Sequence, residues 1–329
     1  MVNTLNILGV GAGYPLNSID NSLLESFRRE NASSAILNET GIESRATVLP
    51  IDYLRETLNR DPWQSKDIAK QTISEIAWAA AEKALARAGI SAEEVGLIIG
   101  ENATPLETTP SEAQRLGKAL SIKVPAYDVQ SCSSSLLLCL NVLSKWRSER
   151  VPKYVLFIST HTPTQRVNYA EGQAGWYFGD AAAAMVVSTE VQGKLKLRNV
   201  SYRTALEIED SVRFDLYSSA EIRSDTVKNI YAQTQLVLED AQRQDLLRTT
   251  LQDSCTKIIG TQLSPRYMER TFASFQDRML SNAKTKGYSL ASASLSVLAD
   301  EWDNIHTGES LVVMEAGLGL GQGLAWLGV

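Results

Sequence analysis

Short apolar runs alternate along this chain with longer stretches that have helical periodicity. Residues 95–100, 154–159 and 181–187 are strand-like, and the third run is small and apolar enough to be buried on both faces. Residues 68–88 repeat apolar side chains at helical spacing and end before Gly89. With 329 residues and 44% hydrophobic content, the chain can bury an extensive core. The alternation predicts an α/β layered fold.

Charge and composition exclude several classes of function. The net charge of −6 argues against a nucleic-acid partner, since phosphate recognition needs clustered Lys and Arg. No run is long enough to span a membrane, and the N-terminus lacks a signal-peptide pattern, so we expect a cytoplasmic protein. The three cysteines are too few and too scattered for a disulfide framework or a metal site. No metal or cofactor is predicted.

Cys132 lies where a strand-like run ends among serines and a long apolar helix, residues 136–146, begins. A cysteine in the first turn of a helix meets unpaired backbone N–H groups and the positive end of the helix dipole. Both stabilise a thiolate, so the sequence predicts a lowered pKa and a nucleophile. The serines on either side would leave room for an acyl group. The alternative is a buried cysteine that acts as a small hydrophobic residue.

Four segments carry a family resemblance. Residues 7–15 look like a first strand and turn, and residues 40–45 read Thr-Gly-Ile-Glu-Ser-Arg. Residues 178–184 read Phe-Gly-Asp-Ala-Ala-Ala-Ala, and residues 315–321 read Glu-Ala-Gly-Leu-Gly-Leu-Gly. In this order and spacing they resemble the ketoacyl-acyl-carrier-protein synthase III branch of the thiolase superfamily.

The resemblance implies a thiolase-like layered αβαβα fold made of two similar halves. We place the half that carries the nucleophile at residues 1–190 and the second half at residues 191–329. It also implies a dimer, as a homodimer or as a heterodimer with a homologue. Thr109 stands where a phenylalanine of the family reaches into the neighbouring pocket, which predicts a wider acyl tunnel.

Two polar residues of the family are missing. The family's Pro-His-Gln-Ala-Asn run falls on residues 274–278, which places Phe275 at the histidine, and Tyr288 stands at the asparagine. The chain holds only two histidines, His161 and His306, and neither lies in these segments. Because a phenylalanine cannot donate a hydrogen bond to a developing oxyanion, ordinary decarboxylative condensation is not expected.

The acylation half of the chemistry remains. Cys132 would attack a thioester, and the backbone N–H groups of Cys132 and Gly319 would polarise the thioester carbonyl. The glycine-rich loop is equally compatible with tight packing alone. His161 follows a strand, and the resemblance implies that this position lies near the nucleophile. It could therefore act as a general base, or else it is a hydrogen-bonded histidine at a strand end. Asp180 is expected to accept from nearby N–H groups, and Cys139 to lie in the core.

The acyl donor is expected to be bound to a carrier protein rather than to free coenzyme A. In members of the resembled family that use coenzyme A, a tryptophan and an arginine clamp the adenine of the coenzyme. Here these positions fall on Ala35 and near Gly172. An acidic acyl carrier protein would meet a basic patch, unless these residues simply form a solvated face. The patch consists of Arg270, Arg278, Lys284 and Lys286.

Three functions stay open at this point. The first is an acyltransferase that loads Cys132 from a carrier-protein or coenzyme A thioester and passes the acyl group to an acceptor, in polyketide or fatty-acid-type metabolism. The second is a catalytically silent subunit paired with an active homologue. The third is a condensing enzyme with an unusual polar set such as His161 with Tyr288.

Overall fold

A computed structural model describes residues 4–27, 32–69, 73–105, 107–205, 212–213, 221–222, 226–318 and 320–329. The strands are β1 (Asn6–Gly13), β2 (Asn17–Asp20), β3 (Ser44–Thr47), β4 (Leu97–Glu101), β5 (Ala126–Asp128), β6 (Val155–His161), β7 (Ala181–Ser188), β8 (Leu195–Thr204), β9 (Val212–Arg213), β10 (Glu221–Ile222), β11 (Thr256–Ile259), β12 (Ser310–Ala316) and β13 (Gly321–Gly328). The helices are α1 (Asn21–Phe27), α2 (Ala32–Thr40), α3 (Ile51–Thr57), α4 (Ser65–Ile68), α5 (Ile73–Ala88), α6 (Glu112–Ala119), α7 (Ser135–Lys145), α8 (Ala174–Tyr177), α9 (Thr226–Arg243), α10 (Asp245–Gln252), α11 (Pro265–Thr271), α12 (Ala283–Lys286) and α13 (Ala291–Glu301).

Nine of these strands form one mixed sheet in the described part of the chain, in the order β11-β12-β13-β8-β1-β7-β6-β4-β5. Strands β6, β4 and β5 are parallel to one another, so their carboxyl ends meet at one edge. Only two residue pairs, Asn6 with Lys196 and Ile7 with Leu195, are recorded between β1 and β8. The sheet therefore divides into a five-stranded portion from β5 to β1 and a four-stranded portion from β8 to β11.

Helices cover both portions and separate them. Helix α5 packs on β1, β7 and β6, and α9 packs on β12 and β13. Helices α13 and α7 contact each other, with α13 against β7 and β1 and α7 against β8 and β13. These contacts give the order helix, sheet, helix, sheet, helix, which confirms the thiolase-like αβαβα fold. The division at residue 190 stays a prediction.

Strand β7 shows why small apolar residues are needed at the centre. Ala182, Ala184 and Val186 face the core under α5, while the alternating residues Ala183 and Met185 face the core that includes α7 and α13. Every residue of the strand is buried, as the sequence predicted. On neighbouring β1, a Cβ added at Gly11 would lie 2.2 Å from the Ala80 carbonyl oxygen of α5. The glycine therefore lets helix and sheet approach closely.

Candidate active site

Cys132 lies at the turn between β5 and α7, where the sequence predicted a strand-to-helix junction. The Val129 N–H donates to the Gly100 carbonyl at 2.8 Å and ends the pairing of β5 with β4. Cys132 then opens a 3-10 turn, Cys132–Ser134, with φ of 46°. This is the left-handed region that residues other than glycine seldom adopt, and such conformations cluster at functional sites. The chain bends sharply at this thiol, which remains partly exposed.

Serine hydroxyl groups hold the turn in place. The Ser131 N–H donates to Ser135 Oγ at 2.8 Å, and Ser131 Oγ lies 3.0 Å from Ser134 Oγ. The Tyr202 hydroxyl on β8 is 2.5 Å from Ser131 Oγ. From the C-terminal region, the Leu318 carbonyl accepts from the Ser133 N–H at 3.3 Å. Residues that the sequence suggested as space for an acyl group are thus bonded parts of the turn.

The lowered pKa predicted for Cys132 is wrong. Burial raises the pKa of its thiol to about 12, and the negative charge of Glu101 acts in the same direction. The weak contact from Ser133 Oγ, 4.0 Å from the sulfur, only partly opposes this. Helix α7 begins at Ser135, so its first turn lies beyond the thiol. Attack on a thioester therefore needs a group that accepts the thiol proton.

His161 ends β6 and is fully buried. Its Nδ1 lies 2.9 Å from Ser292 Oγ at the start of α13, and its Nε2 lies 3.1 Å from Glu101 Oε2. The Ala103 N–H donates to the same Nε2 at 3.1 Å. The contacts recorded for this imidazole are thus with Glu101, Ser292, Ala103 and Ser159. A role of His161 as base toward Cys132 stays a prediction.

Glu101 is a residue of this site that sequence reasoning missed. It is fully buried at the end of β4, where it pairs in register with Ser159 of β6, and the Ser159 hydroxyl donates to its Oε2 at 2.8 Å. The signal in the sequence was a charged residue directly after the apolar run 95–100. Because parallel strands end at one edge, that position faces the same region as Cys132 and His161.

Tyr288 lies beside the nucleophile turn. It is buried, and its hydroxyl is 2.5 Å from Ser133 Oγ. Its ring stacks on Phe178 with centroids 6.2 Å apart and planes 19° apart. Burial raises the pKa of Tyr288 well above its ordinary value, and the nearby Cys132 adds to this. An aromatic ring therefore fills space next to the thiol.

Phe275 was predicted to line the pocket, and that assignment stays a prediction. It belongs to the 3-10 helix Ala273–Arg278, half-buried, with the Arg278 guanidinium carbon 5.2 Å from its ring centroid. The residues that follow β11 are instead 260–264, which read Gly-Thr-Gln-Leu-Ser. Thr261 Oγ1 donates to the Ala316 carbonyl at 2.8 Å, beside the glycine-rich loop. Neither Thr261 nor Gln262 carries an imidazole, so no histidine lies in this segment or at Phe275.

Gly319, the predicted oxyanion donor, lies outside the described residues. Its neighbours show how close the glycine-rich loop comes to the nucleophile. Leu318 bonds to Ser133, and Leu320 has φ of 62°. A Cβ added at Gly321 would lie 2.1 Å from Ser134 Oγ and 2.4 Å from Ser131 Oγ. The loop thus packs directly against the turn that carries Cys132.

Known proteins are similar to this chain in sequence and in fold. The family model described as 3-oxoacyl-(acyl-carrier-protein) synthase III matches residues 127–205, which include Cys132 and His161. The beta-ketoacyl-(acyl-carrier-protein) synthase III of Clostridium perfringens strain SM101 is 30% identical over 196 residues, 59% of this chain and 54% of the relative. The resemblance to the ketoacyl-acyl-carrier-protein synthase III family is confirmed. This chain, a relative of the synthase III family, spans about half the length of the curated proteins it matches.

Solved structures show the same fold over nearly the whole of this chain. The 3-oxoacyl-(acyl-carrier-protein) synthase III of Aquifex aeolicus aligns with a TM-score of 0.81 at 21% identity, covering 99% of this chain and 100% of that one. The priming beta-ketosynthase of the R1128 polyketide pathway aligns with a TM-score of 0.81 at 17% identity, covering 99% and 97%. At these identities the likeness is one of fold.

Two predicted structural residues of this synthase III relative are confirmed. Asp180 is fully buried and accepts from the Val48 N–H at 2.8 Å and the Thr164 N–H at 3.0 Å. Cys139 lies within α7, 1% exposed in the core, where burial raises the pKa of its thiol. Thr109 is exposed in the single chain, and its carbonyl accepts from Arg115 at 3.4 Å. Its place in a neighbouring pocket stays a prediction.

A cavity of about 620 Å³ opens between α2, α8, α9 and α11. It is lined by Glu39, Tyr177, Val227, Lys228, Tyr231, Ser264, Arg266, Tyr267 and Arg270. Of the predicted basic patch, Arg270 lines this cavity, whereas Lys284 pairs with Glu43 at 3.0 Å and Lys286 lies over the Tyr14 ring. The patch is therefore dispersed, and the cavity gathers a different set of cations.

Among the described residues, none of the helices combines the length and the apolar character that crossing a membrane requires. In the same part of the chain, no three His, Cys, Asp or Glu side chains are grouped as a metal ion would need.

Proposed function

We propose that this protein is an acyltransferase of ketoacyl synthase III type. Cys132 would take an acyl group from a carrier-protein or coenzyme A thioester and pass it to an acceptor. The observation that carries this proposal is the thiol on a left-handed turn, partly exposed, with the glycine-rich loop packed against it. A nucleophile held at a sharp strand-to-helix turn is the arrangement that covalent acyl transfer needs.

The chemistry would run in two steps. In the first, the Cys132 S–H bond breaks as its sulfur bonds to the thioester carbonyl carbon, the carbon–sulfur bond of the donor breaks, and the donor leaves as a thiol with that proton. In the second, an acceptor attacks the acyl-enzyme, the bond between the acyl carbon and the Cys132 sulfur breaks, and the acceptor's proton restores the Cys132 thiol. Backbone N–H groups at the turn would stabilise the oxyanion of each tetrahedral intermediate.

Decarboxylative condensation is not part of this proposal. The curated relatives are named as beta-ketoacyl synthases, and the R1128 protein as a priming ketosynthase. In this chain, however, Tyr288 bonds to Ser133 beside the thiol, and Phe275 stands for the histidine. Without the imidazole and amide donors, an enolate formed from a malonyl thioester would lack its usual stabilisation.

The cavity between α2, α8, α9 and α11 supports a carrier-bound donor. Tyr267 lines it, and Tyr267 also interacts electrostatically with Tyr288. Lys228, Arg266 and Arg270 line it, and a phosphopantetheine arm carries a phosphate that such cations attract.

Reversing the charge of Arg270 tests this entry site. For Arg270→Glu we expect kcat/KM with an acyl carrier protein thioester to fall about tenfold, because the cation no longer attracts the phosphate and the acidic protein. High salt should shrink the difference. Arg248→Glu is the matched control, since Arg248 is exposed on α10 and pairs with Asp245. Equal losses in both variants would contradict the assignment.

A silent subunit is the second candidate, and one observation favours it. Tyr288 is buried against the nucleophile turn, and the Cys132 thiol is held in its protonated form near neutral pH. Such a chain would contribute a dimer interface to an active homologue without itself forming an acyl-enzyme. The two candidates differ in whether Cys132 becomes acylated.

Intact-protein mass decides between them. After incubation with acyl carrier protein thioesters and acyl-coenzyme A thioesters, the wild type is expected to gain the mass of one acyl group, and Cys132→Ala to gain none. Cys139→Ala is the matched control and should be acylated like the wild type, since Cys139 lies in the core. A folded wild type that gains no mass from any donor would overturn the proposal and favour the silent subunit.

A further inference from the structure

Three fully buried polar groups meet beside the nucleophile turn: Glu101 at the end of β4, His161 at the end of β6 and Ser292 in the first turn of α13. His161 joins the other two, with Nε2 3.1 Å from Glu101 Oε2 and Nδ1 2.9 Å from Ser292 Oγ. Structural polar groups in a core are normally fully satisfied. This cluster is not.

The nitrogen that faces Glu101, His161 Nε2, has two hydrogen-bonding neighbours, although it can make only one hydrogen bond as either donor or acceptor. Nε2 accepts from the Ala103 N–H at 3.1 Å, which requires a free lone pair. It also faces Glu101 Oε2 at 3.1 Å, which is favourable only if a proton lies between them. With the proton on Nε2 the Ala103 N–H loses its acceptor, and with the proton on Glu101 the Ala103 N–H and the carboxylic acid share the single lone pair of Nε2. The pair thus has two arrangements that differ in the position of one proton.

The second carboxylate oxygen of Glu101 is unsatisfied. Within the part of the chain that the structure describes, Glu101 Oε1 is buried and has no hydrogen-bond partner. A buried polar oxygen without a partner is unfavourable, so it can take a hydrogen bond from a further donor. Asp180, by contrast, has both of its oxygens bonded.

The fold brings this cluster to Cys132. Gly100 of β4 pairs with Asp128 of β5, so Glu101 and the segment that leads to Cys132 leave the sheet at one edge. Helix α13, which carries Ser292, packs on the Cys132–Ser134 turn. The charge of Glu101 is also felt at the thiol.

We propose that Glu101 and His161 together form the proton acceptor for the Cys132 thiol, with Glu101 acting through His161 as a positioning residue. As sulfur bonds to the thioester carbonyl carbon, the S–H bond breaks and its proton enters the pair. When the carbon–sulfur bond of the donor breaks, the proton leaves the pair for the departing thiolate. The inference rests on the proposed acyl transfer and names the residues that move its proton.

Other titratable groups face this region and must be held constant. Tyr288 precedes α13, Glu315 lies on β12 and interacts with Glu101, and Glu112 on α6 interacts with His161. Glu112 is not among the groups that shift the pKa of Cys132. It therefore serves as a matched buried carboxylate.

The test compares two reactions of Cys132 in Glu101→Gln. Single-turnover acylation by an acyl carrier protein thioester should fall about 100-fold, the usual contribution of a general base. Alkylation by iodoacetamide at pH 8 should rise about threefold to tenfold, because loss of the negative charge lowers the pKa of the thiol. All variants carry Cys255→Ser, since Cys255 is exposed and would also react. A merely structural role would change both rates in one direction.

Further variants sharpen the outcome. His161→Gln should lose acylation to a similar degree, and the double variant should lose no more than either single one, because the two residues act as a unit. Glu112→Gln should keep the wild-type alkylation rate, because Glu112 does not shift the pKa of Cys132. Acylation of Glu101→Gln at the wild-type rate would overturn the inference. If the wild type itself is never acylated, the proposed function fails, and the alkylation profile still reports whether Glu101 acts on the thiol.

Discussion

Gly321→Ala is expected to lower the rate of Cys132 acylation about 100-fold. The added Cβ would lie 2.1 Å from Ser134 Oγ, 2.4 Å from Ser131 Oγ and 2.9 Å from the Tyr202 hydroxyl. These hydroxyl groups hold the nucleophile turn, so they must rotate away and release it. A displacement of about 1 Å at a reacting group costs on the order of 100-fold in rate, and overpacking costs about 1–3 kcal/mol of stability.

Single-turnover acylation and urea unfolding measure the two effects of Gly321→Ala. Gly117→Ala is the matched control, because its Cβ would lie 3.4 Å from Ile98 Cδ1 and meet ordinary contact within α6. We expect that variant to be acylated at the wild-type rate. Normal acylation of Gly321→Ala would show that the packing of the loop does not position the thiol.

The free energy of unfolding is expected to fall as pH rises from 5 to 8. Burial raises the pKa of Asp180 to about 7 and that of Glu315 to about 8, from ordinary values of 3.8 and 4.5. Each group binds its proton more tightly in the folded state. Its stabilising contribution is therefore complete below the unfolded pKa and is lost as pH rises through the folded pKa. From these pKa differences, each group contributes on the order of 2–3 kcal/mol over this range.

Urea unfolding at pH 5 and pH 8 checks the prediction. Glu315→Gln removes one ionisable group while keeping its size, so the difference between the two pH values should shrink. Glu239→Gln should leave the difference unchanged, because Glu239 is 56% exposed and pairs only with Arg243 at the surface of α9. A pH dependence that is the same in the wild type and Glu315→Gln would sink the idea.

The sequence was sufficient for the fold because its signals are local and repeated. Apolar runs at 95–100 and 154–159 correspond to β4 and β6, which each extend one or two residues further. The helix predicted over 136–146 is α7, and that over 68–88 is observed as α4 and α5, with residues 70–72 outside the described range. Alternation of strand and helix then permits few layered arrangements.

The site was only partly predictable because its properties depend on tertiary contacts. Cys132 and Tyr288 were found through motifs, and the structure puts them on either side of Ser133. The pKa of Cys132 depends on burial and on Glu101, which no local pattern shows. Phe275 was placed by motif alone, and the contact that the structure gives its ring is with Arg278.

The position of β13 has a consequence for how the protein is made. This strand lies between β8 and β12, although residues 321–328 follow β8 by more than a hundred positions in the chain. Until residues 321–328 have been synthesised and have left the ribosome, the facing edges of β8 and β12 have no partner, and Val312 and Val313 belong to an unfinished sheet. Unpaired apolar edges invite aggregation during synthesis. Yield in a foreign host should therefore depend on slow translation, low temperature and chaperone supply more than on the stability of the finished fold.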